Sequence, residues 1–140
     1  NSGGGGAGTT TAGLSFLGTD TPGAGGRVKT SYAYDGTNWT ATSDANSARS
    51  GVGASGTTQA NAMAFGGGPG PTPYVALTEQ FNGTSWTEVA DLATAKQAIY
   101  GSLGGGTQMS TLSIMGDIGT AITAVEEWAV PDETKTVTSS

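Results

Sequence analysis

Trp39-Thr40 returns as Trp86-Thr87, 47 residues further along the chain, and a repeat of that length leaves few folds open. The same offset carries Tyr34 onto Phe81, Asp35-Gly36-Thr37 onto Asn82-Gly83-Thr84, and Ala48-Arg49 onto Ala95-Lys96. One step more places Trp128 at the Tyr34 and Phe81 position, and Val125-Glu126-Glu127-Trp128 loosely echoes the residues before Phe81. Earlier in each unit the apolar anchors step by 49: Leu14, Met63 and Leu112, then Phe16, Phe65 and Ile114. The difference of two falls in a Gly/Pro-rich stretch, where a loop absorbs it. The Gly-rich segment 2–8 is also similar to 50–56 and 100–106. The units therefore divide as 1–8, the end of a preceding repeat; 9–56 and 57–106, two full repeats; 107–130, a partial terminal repeat; and 131–140, a polar tail. Entry part-way through a unit, and a first residue that is Asn and not Met, suit an excerpt from a longer array. An early strand that completes a late unit is the alternative.

Within a unit the signals are for strands. Residues 11–17, 59–65 and 109–115 are short apolar runs bounded by Gly, the pattern of strands buried on both faces. Pro69, Pro71 and Pro73 mark a loop that cannot donate to a ladder. Strands are expected next at 75–81 and 85–89, joined at Asn82-Gly83, and another at 97–103. Asp-Gly and Asn-Gly favour two-residue type I′ hairpins, which need positive φ at both central residues. Four short strands in about 47 residues make one propeller blade. The expected fold is all-β, with four-stranded antiparallel blades and helix close to nil. About three units fall short of the usual closed ring of 4–8 blades. The partial propeller is thus expected to be completed by more chain or by other copies, with a β-helix or open sandwich as the structural alternative.

Composition narrows the function. Of 140 residues, 61 are Gly, Thr or Ser, yet aromatic residues recur throughout, which a flexible linker would lack. With no Cys there is no thiolate chemistry, and with no His the commonest general base and metal ligand are gone. Five basic residues against eleven acidic ones argue against nucleic acid, whose binding rests on neutralising phosphates. No apolar run approaches the roughly 20 residues of a membrane span.

The order of features resembles the kelch repeat: a basic residue, an apolar strand ending in Gly-Gly, an aromatic residue, a turn and then Trp. The middle unit carries it most fully, with Arg49, Ala62-Met63-Ala64-Phe65, Gly66-Gly67, Phe81, Asn82-Gly83 and Trp86. In the first unit Leu17 stands where the first Gly would be, and in the third Glu133 falls where the Trp would sit. The likeness covers about residues 9–130. A narrower resemblance, carried by Thr78-Glu79-Gln80-Phe81-Asn82-Gly83-Thr84-Ser85-Trp86, is to Gly/Thr-rich kelch-like structural proteins of marine bacteriophages. It implies a virion component or fibre that serves attachment or assembly, and it offers no catalytic residue to carry over.

Candidate sites follow from these positions. Trp39 and Trp86, after hairpin turns, could stack on a sugar ring, together with Tyr74 on the proline loop. Against that stands packing between blades, the expected role of Phe16, Phe65, Tyr34, Phe81 and Trp128. Trp128 could also cover the end of the array. Arg49 and Lys96 are expected to bond carbonyls or an acid of a neighbouring blade. Glu79 and Glu126 share one repeat position, while Glu126 and Glu127 point to opposite faces of a strand and cannot act as paired acid and base. Asp20, Asp117 and Asp132 lack a calcium-loop pattern, and no metal, cofactor or catalytic residue is expected. The expected function is a non-enzymatic structural or adhesion component of a phage particle, placed in a virion or extracellularly. Its partners would be other copies or other virion proteins. An extracellular carbohydrate-binding module, with cell-surface glycans as partners, is the alternative.

Overall fold

A computed structural model of the chain describes residues 2–21, 25–70, 73–97, 104–107 and 110–129. Among these residues there is no helix, and every ladder is antiparallel. The first unit holds β1 (Gly5–Gly8), β2 (Gly13–Phe16), β3 (Thr19–Thr21), β4 (Gly26–Arg27), β5 (Ser31–Tyr34) and β6 (Trp39–Thr42). Its sheet runs β1-β2-β5-β6, while β3 and β4 form a small side ladder. The second unit holds β7 (Gly53–Thr58), β8 (Asn61–Phe65), β9 (Thr78–Phe81) and β10 (Trp86–Val89), paired in chain order. The third holds β11 (Gly104–Thr107), β12 (Ser110–Asp117) and β13 (Ala121–Ala129), also in chain order. These three sheets are the blades.

The Gly-rich segments open blades and do not close them. Gly5–Gly8 pairs with β2, Gly53–Thr58 with β8, and Gly104–Thr107 with β12. Gly5–Gly8, within the segment 1–8 expected to end a preceding repeat, thus belongs to the first blade. The expected strand at 59–65 starts at Asn61, because Gln59 and Ala60 form the turn that brings Asn61 opposite Thr58. The one at 75–81 starts at Thr78, since the Val75 N–H donates to the Gly67 carbonyl outside the sheet. Of the expected strand at 97–103, Gln97 makes a single bridge to Asp117; the other residues, like the tail 131–140, lie outside the described residues.

The innermost strands β1, β7 and β11 are neighbours, with β7 between the other two. Small side chains make this approach possible. Gly5 lies opposite Phe16, and Gly53 opposite Phe65, at matching places in their blades. A Cβ on Gly53 would run into the Phe65 ring, and one on Gly5 would meet both the Phe16 ring and Ala54. Glycine at these positions lets a large ring fold over the inner strand and reach the next blade.

The turns hold to the repeat but not to the expected type. Four residues separate Tyr34 from its partner Trp39, and four separate Phe81 from Trp86. Only the glycine has positive φ in each, 96° at Gly36 and 94° at Gly83, so neither is a type I′ turn. The Asp35 carboxylate instead accepts the N–H groups of Thr37 and Asn38, at 2.8 and 2.7 Å. Asn82 repeats this with Thr84 and Ser85, both at 2.9 Å. A side-chain oxygen closes both loops.

Those N–H groups, Asn38 foremost, hold the Asp35 carboxyl below its ordinary value. A depressed folded-state value stabilises the fold above the unfolded-state value, and that contribution is lost as pH falls through the folded one. NMR titration should therefore give Asp35 a midpoint lower than in an unfolded peptide of the same sequence. Asp35→Asn should keep the turn, as Asn82 does, and abolish this acid-limb contribution; an unshifted Asp35 midpoint would contradict the geometry.

One residue departs from the repeat without changing its backbone. Gly66 ends the apolar strand of the second blade at φ 65°, and Leu17, its counterpart, takes φ 60°. Such a conformation costs a non-glycine residue about 1–3 kcal/mol. Leu17 is fully buried in the core shared with the second blade, and this burial offsets the strain.

Candidate functional site

The conspicuous side chains collect at the joints between blades. Because strand neighbours alternate in direction, each central strand presents one row to the preceding blade and one to the next. On β8, Ala62 and Ala64 join a cluster with Leu14, Phe16, Phe81 and Trp86, whereas Met63 and Phe65 join Leu92 and Trp128. Small residues face backwards, large ones forwards. Among the described residues the core is therefore two layers, one in each joint.

In the first joint Phe16 meets Trp86 edge-on, with ring centroids 4.9 Å apart at 63°. Phe81 lies against the same indole at 5.2 Å, and the indole N–H donates across the joint to Ser31 Oγ at 3.1 Å. Arg49 enters from the connection after β6 and is 1% exposed. Its guanidinium forms an ion pair with Glu79 and donates to the carbonyls of Gly66 (3.0 Å), Ser47 (3.3 Å) and Ala64 (3.5 Å). The other Glu79 oxygen accepts the Asn46 backbone N–H at 2.7 Å and its side-chain N–H at 3.2 Å. The connection from the first blade is thereby anchored inside the second.

The second joint repeats the device. Lys96 Nζ lies 2.9 Å from Glu126 Oε1, and Glu126 Oε2 accepts the Ala93 N–H at 2.6 Å. Trp128 packs with Phe65 and Leu92 and donates its indole N–H to the Ala90 carbonyl at 2.9 Å. It faces back into the second blade and does not cover the end of the array. A shallow cleft of about 330 Å³ opens beside it, lined by Asp91, Leu92, Ala93, Glu126, Glu127 and Trp128. Two of its carboxylates are already engaged, Glu126 as above and Asp91 by the Thr78 N–H at 3.2 Å.

The three residues considered for ligand stacking have separate surroundings. Trp86 is 6% exposed with its ring against Phe16 and Phe81, so it offers no open face to a sugar. Burial in the joint, not ligand contact, is its place. Tyr74 is half-buried, and its hydroxyl accepts from Gln97 Nε2 at 3.1 Å. Trp39 is 55% exposed and packs on Tyr34 at 5.1 Å, on the outer side of the first blade. Tyr34, Trp39 and the exposed Tyr32 share that side, because Tyr34 pairs with Trp39 and Tyr32 stands two residues before Tyr34. Tyr34 therefore lies on an open face and not in a joint.

Sequence reading placed a cation and an acid at repeated positions without joining them. A usable signal was present: Arg49 to Glu79 and Lys96 to Glu126 are both separations of 30 residues. Asn46 carried no such signal, since its role depends on where the connection crosses Glu79. Among the described residues no group of three or more His, Cys, Asp or Glu could hold a metal ion; Asp132 lies outside them. No described helix is long and apolar enough to cross a membrane.

Antiparallel blades of four, four and three described strands, stacked through aromatic layers and ion pairs, define an all-β blade-repeat protein. No family model matches the chain, and neither does any curated protein. Among solved structures it is similar to the structure of YjhT, with a TM-score of 0.73 and 17% identity. The match covers 93% of this chain and 43% of that one, so this chain spans less than half the length of YjhT. At that identity the likeness concerns the fold alone.

Proposed function

We propose that the chain is a non-enzymatic structural or adhesion component of a phage particle, such as a tail fibre, appendage or decoration. It would act in the virion or outside cells, with other copies of itself or other virion proteins as partners. One observation supports this most: the side chains best suited to chemistry are committed to the joints. Arg49, Lys96, Glu79 and Glu126 neutralise one another there, and Trp86 and Trp128 are buried beside them. The kelch-like order of features and the phage-like words around Phe81 supply the particle context.

Quantitative mass spectrometry of purified particles provides the test. The chain is expected at a constant ratio to the major structural proteins across preparations. Its absence from particles, with free protein remaining in the lysate, would overturn the particle role.

The open aromatic side favours a second reading, a carbohydrate-binding module. Trp39, Tyr32 and Tyr34 could stack on sugar rings as exposed aromatics do. Glycan-array binding lost in Trp39→Ala or Tyr74→Ala would favour this module. A blank array with the chain present in particles would favour the structural role.

A further inference from the structure

We infer that the outer side of the first blade docks onto the outer side of the third blade of a second copy of this chain. This rests on the structural role proposed above and specifies its contact.

The repeat supplies the template. Tyr34 and Trp39 on the first blade sit 5.1 Å apart at 32°, and Phe81 and Trp86 on the second sit 5.2 Å apart at 36°. The two pairs have the same local structure and opposite surroundings. Phe16 and Ser31 of the first blade cover Trp86, which is 6% exposed, whereas Trp39 is left 55% exposed.

The third blade shows the reverse deficit. Leu112 occupies the position of Leu14 and Met63, which are 2% and 0% exposed, yet is itself 40% exposed. Val125 occupies the position of Ser31 and Thr78, both buried, and is 58% exposed. It pairs with Ile114, two residues from Leu112, so Val125 and Leu112 share one side of the sheet.

The joint between the first and second blades is already built from these two kinds of face. Trp86 and Phe81 form one half; Leu14, Phe16 and Ser31 form the other. The occupant that suits the Trp39 side is therefore a blade face of the Leu112 and Val125 kind, and a second copy carries one. A contact between unlike faces is heterologous, and it generates a ring if the rotation closes or a filament if it does not.

The test is sedimentation velocity on the whole chain across a wide concentration series. Wild-type protein should gain mass in whole multiples of 13.7 kDa. Trp39→Asp alone and Leu112→Asp alone should each remain at single-chain mass. An equal mixture of the two should reach the two-chain mass and stop, since it holds one intact face of each kind. That recovery would also show that both variants are folded. Wild-type protein that stays at single-chain mass would overturn the inference. So would Leu112→Asp associating like wild type, which would point to contact through the aromatic sides alone. Glycan binding that Trp39→Asp removes, with sedimentation unchanged, would assign that side to a sugar and overturn it too. If Leu112→Asp enters particles as well as wild type, this contact fails while the particle role stands. Association as described, in a chain absent from particles, keeps the contact and removes that role.

Discussion

Trp86→Ala is expected to destabilise the folded chain by about 3–5 kcal/mol, the range for truncating a buried large aromatic side chain. The substitution empties the first joint of its largest side chain. Phe16 loses its edge-on partner, Phe81 its neighbour, and Ser31 Oγ the indole N–H that it accepts. Trp39→Ala, at the equivalent position of the preceding unit, should cost only about 0.2–1 kcal/mol, the worth of a cross-strand pair. The two residues share a residue type, a strand position and an aromatic partner, so the comparison isolates what the neighbouring blade contributes. Equilibrium urea unfolding, at concentrations where the chain sediments as a single copy, measures both. Equal losses would mean that the first joint does not hold the blades together as described.

Arg49→Met is expected to lose about 3–5 kcal/mol, because it strands the Glu79 carboxylate in a buried site without its cation. Hydrogen bonds from Asn46 remain but leave the charge uncompensated. Arg49→Met combined with Glu79→Gln should recover part of the loss, since the amide oxygen can still accept from Asn46. A double-mutant cycle then separates the pairing from the packing of the arginine stem. Arg49→Lys should fall in between. An ammonium can face Glu79 as Lys96 faces Glu126, but it cannot span the Gly66, Ser47 and Ala64 carbonyls that the guanidinium reaches. A loss under about 1 kcal/mol for Arg49→Met would place the pair in the weak, solvent-screened class of surface ion pairs. Against the 5–15 kcal/mol net stability of ordinary domains, either full loss is large.

Much of the blade is legible in the sequence. Short apolar runs ending in glycine became β2, β8 and β12, and the two Asn/Asp-Gly turns fell between paired strands. The expected turn type failed because Asp35 and Asn82 cap their loops through side-chain oxygens, so only the glycine needs a positive φ. The first strand of a unit was harder to assign. Gly5–Gly8 and Gly53–Thr58 lack an apolar pattern, and their place is set by pairing with β2 and β8. The cation–acid pairs were half visible: position and charge repeated, but the contact requires two segments 30 residues apart to converge.

The amino-acid order on its own settles the period, the apolar strands, their alternation and the places of the turns, because these follow from interactions among residues near one another in the chain. Whether a given side chain is core or surface does not follow in that way. Trp39 and Trp86 read alike, as do Leu14 and Leu112, yet one of each pair is buried and the other open. Burial depends on whether another blade lies against that side of the sheet. Only the arrangement of the three blades in space decides it.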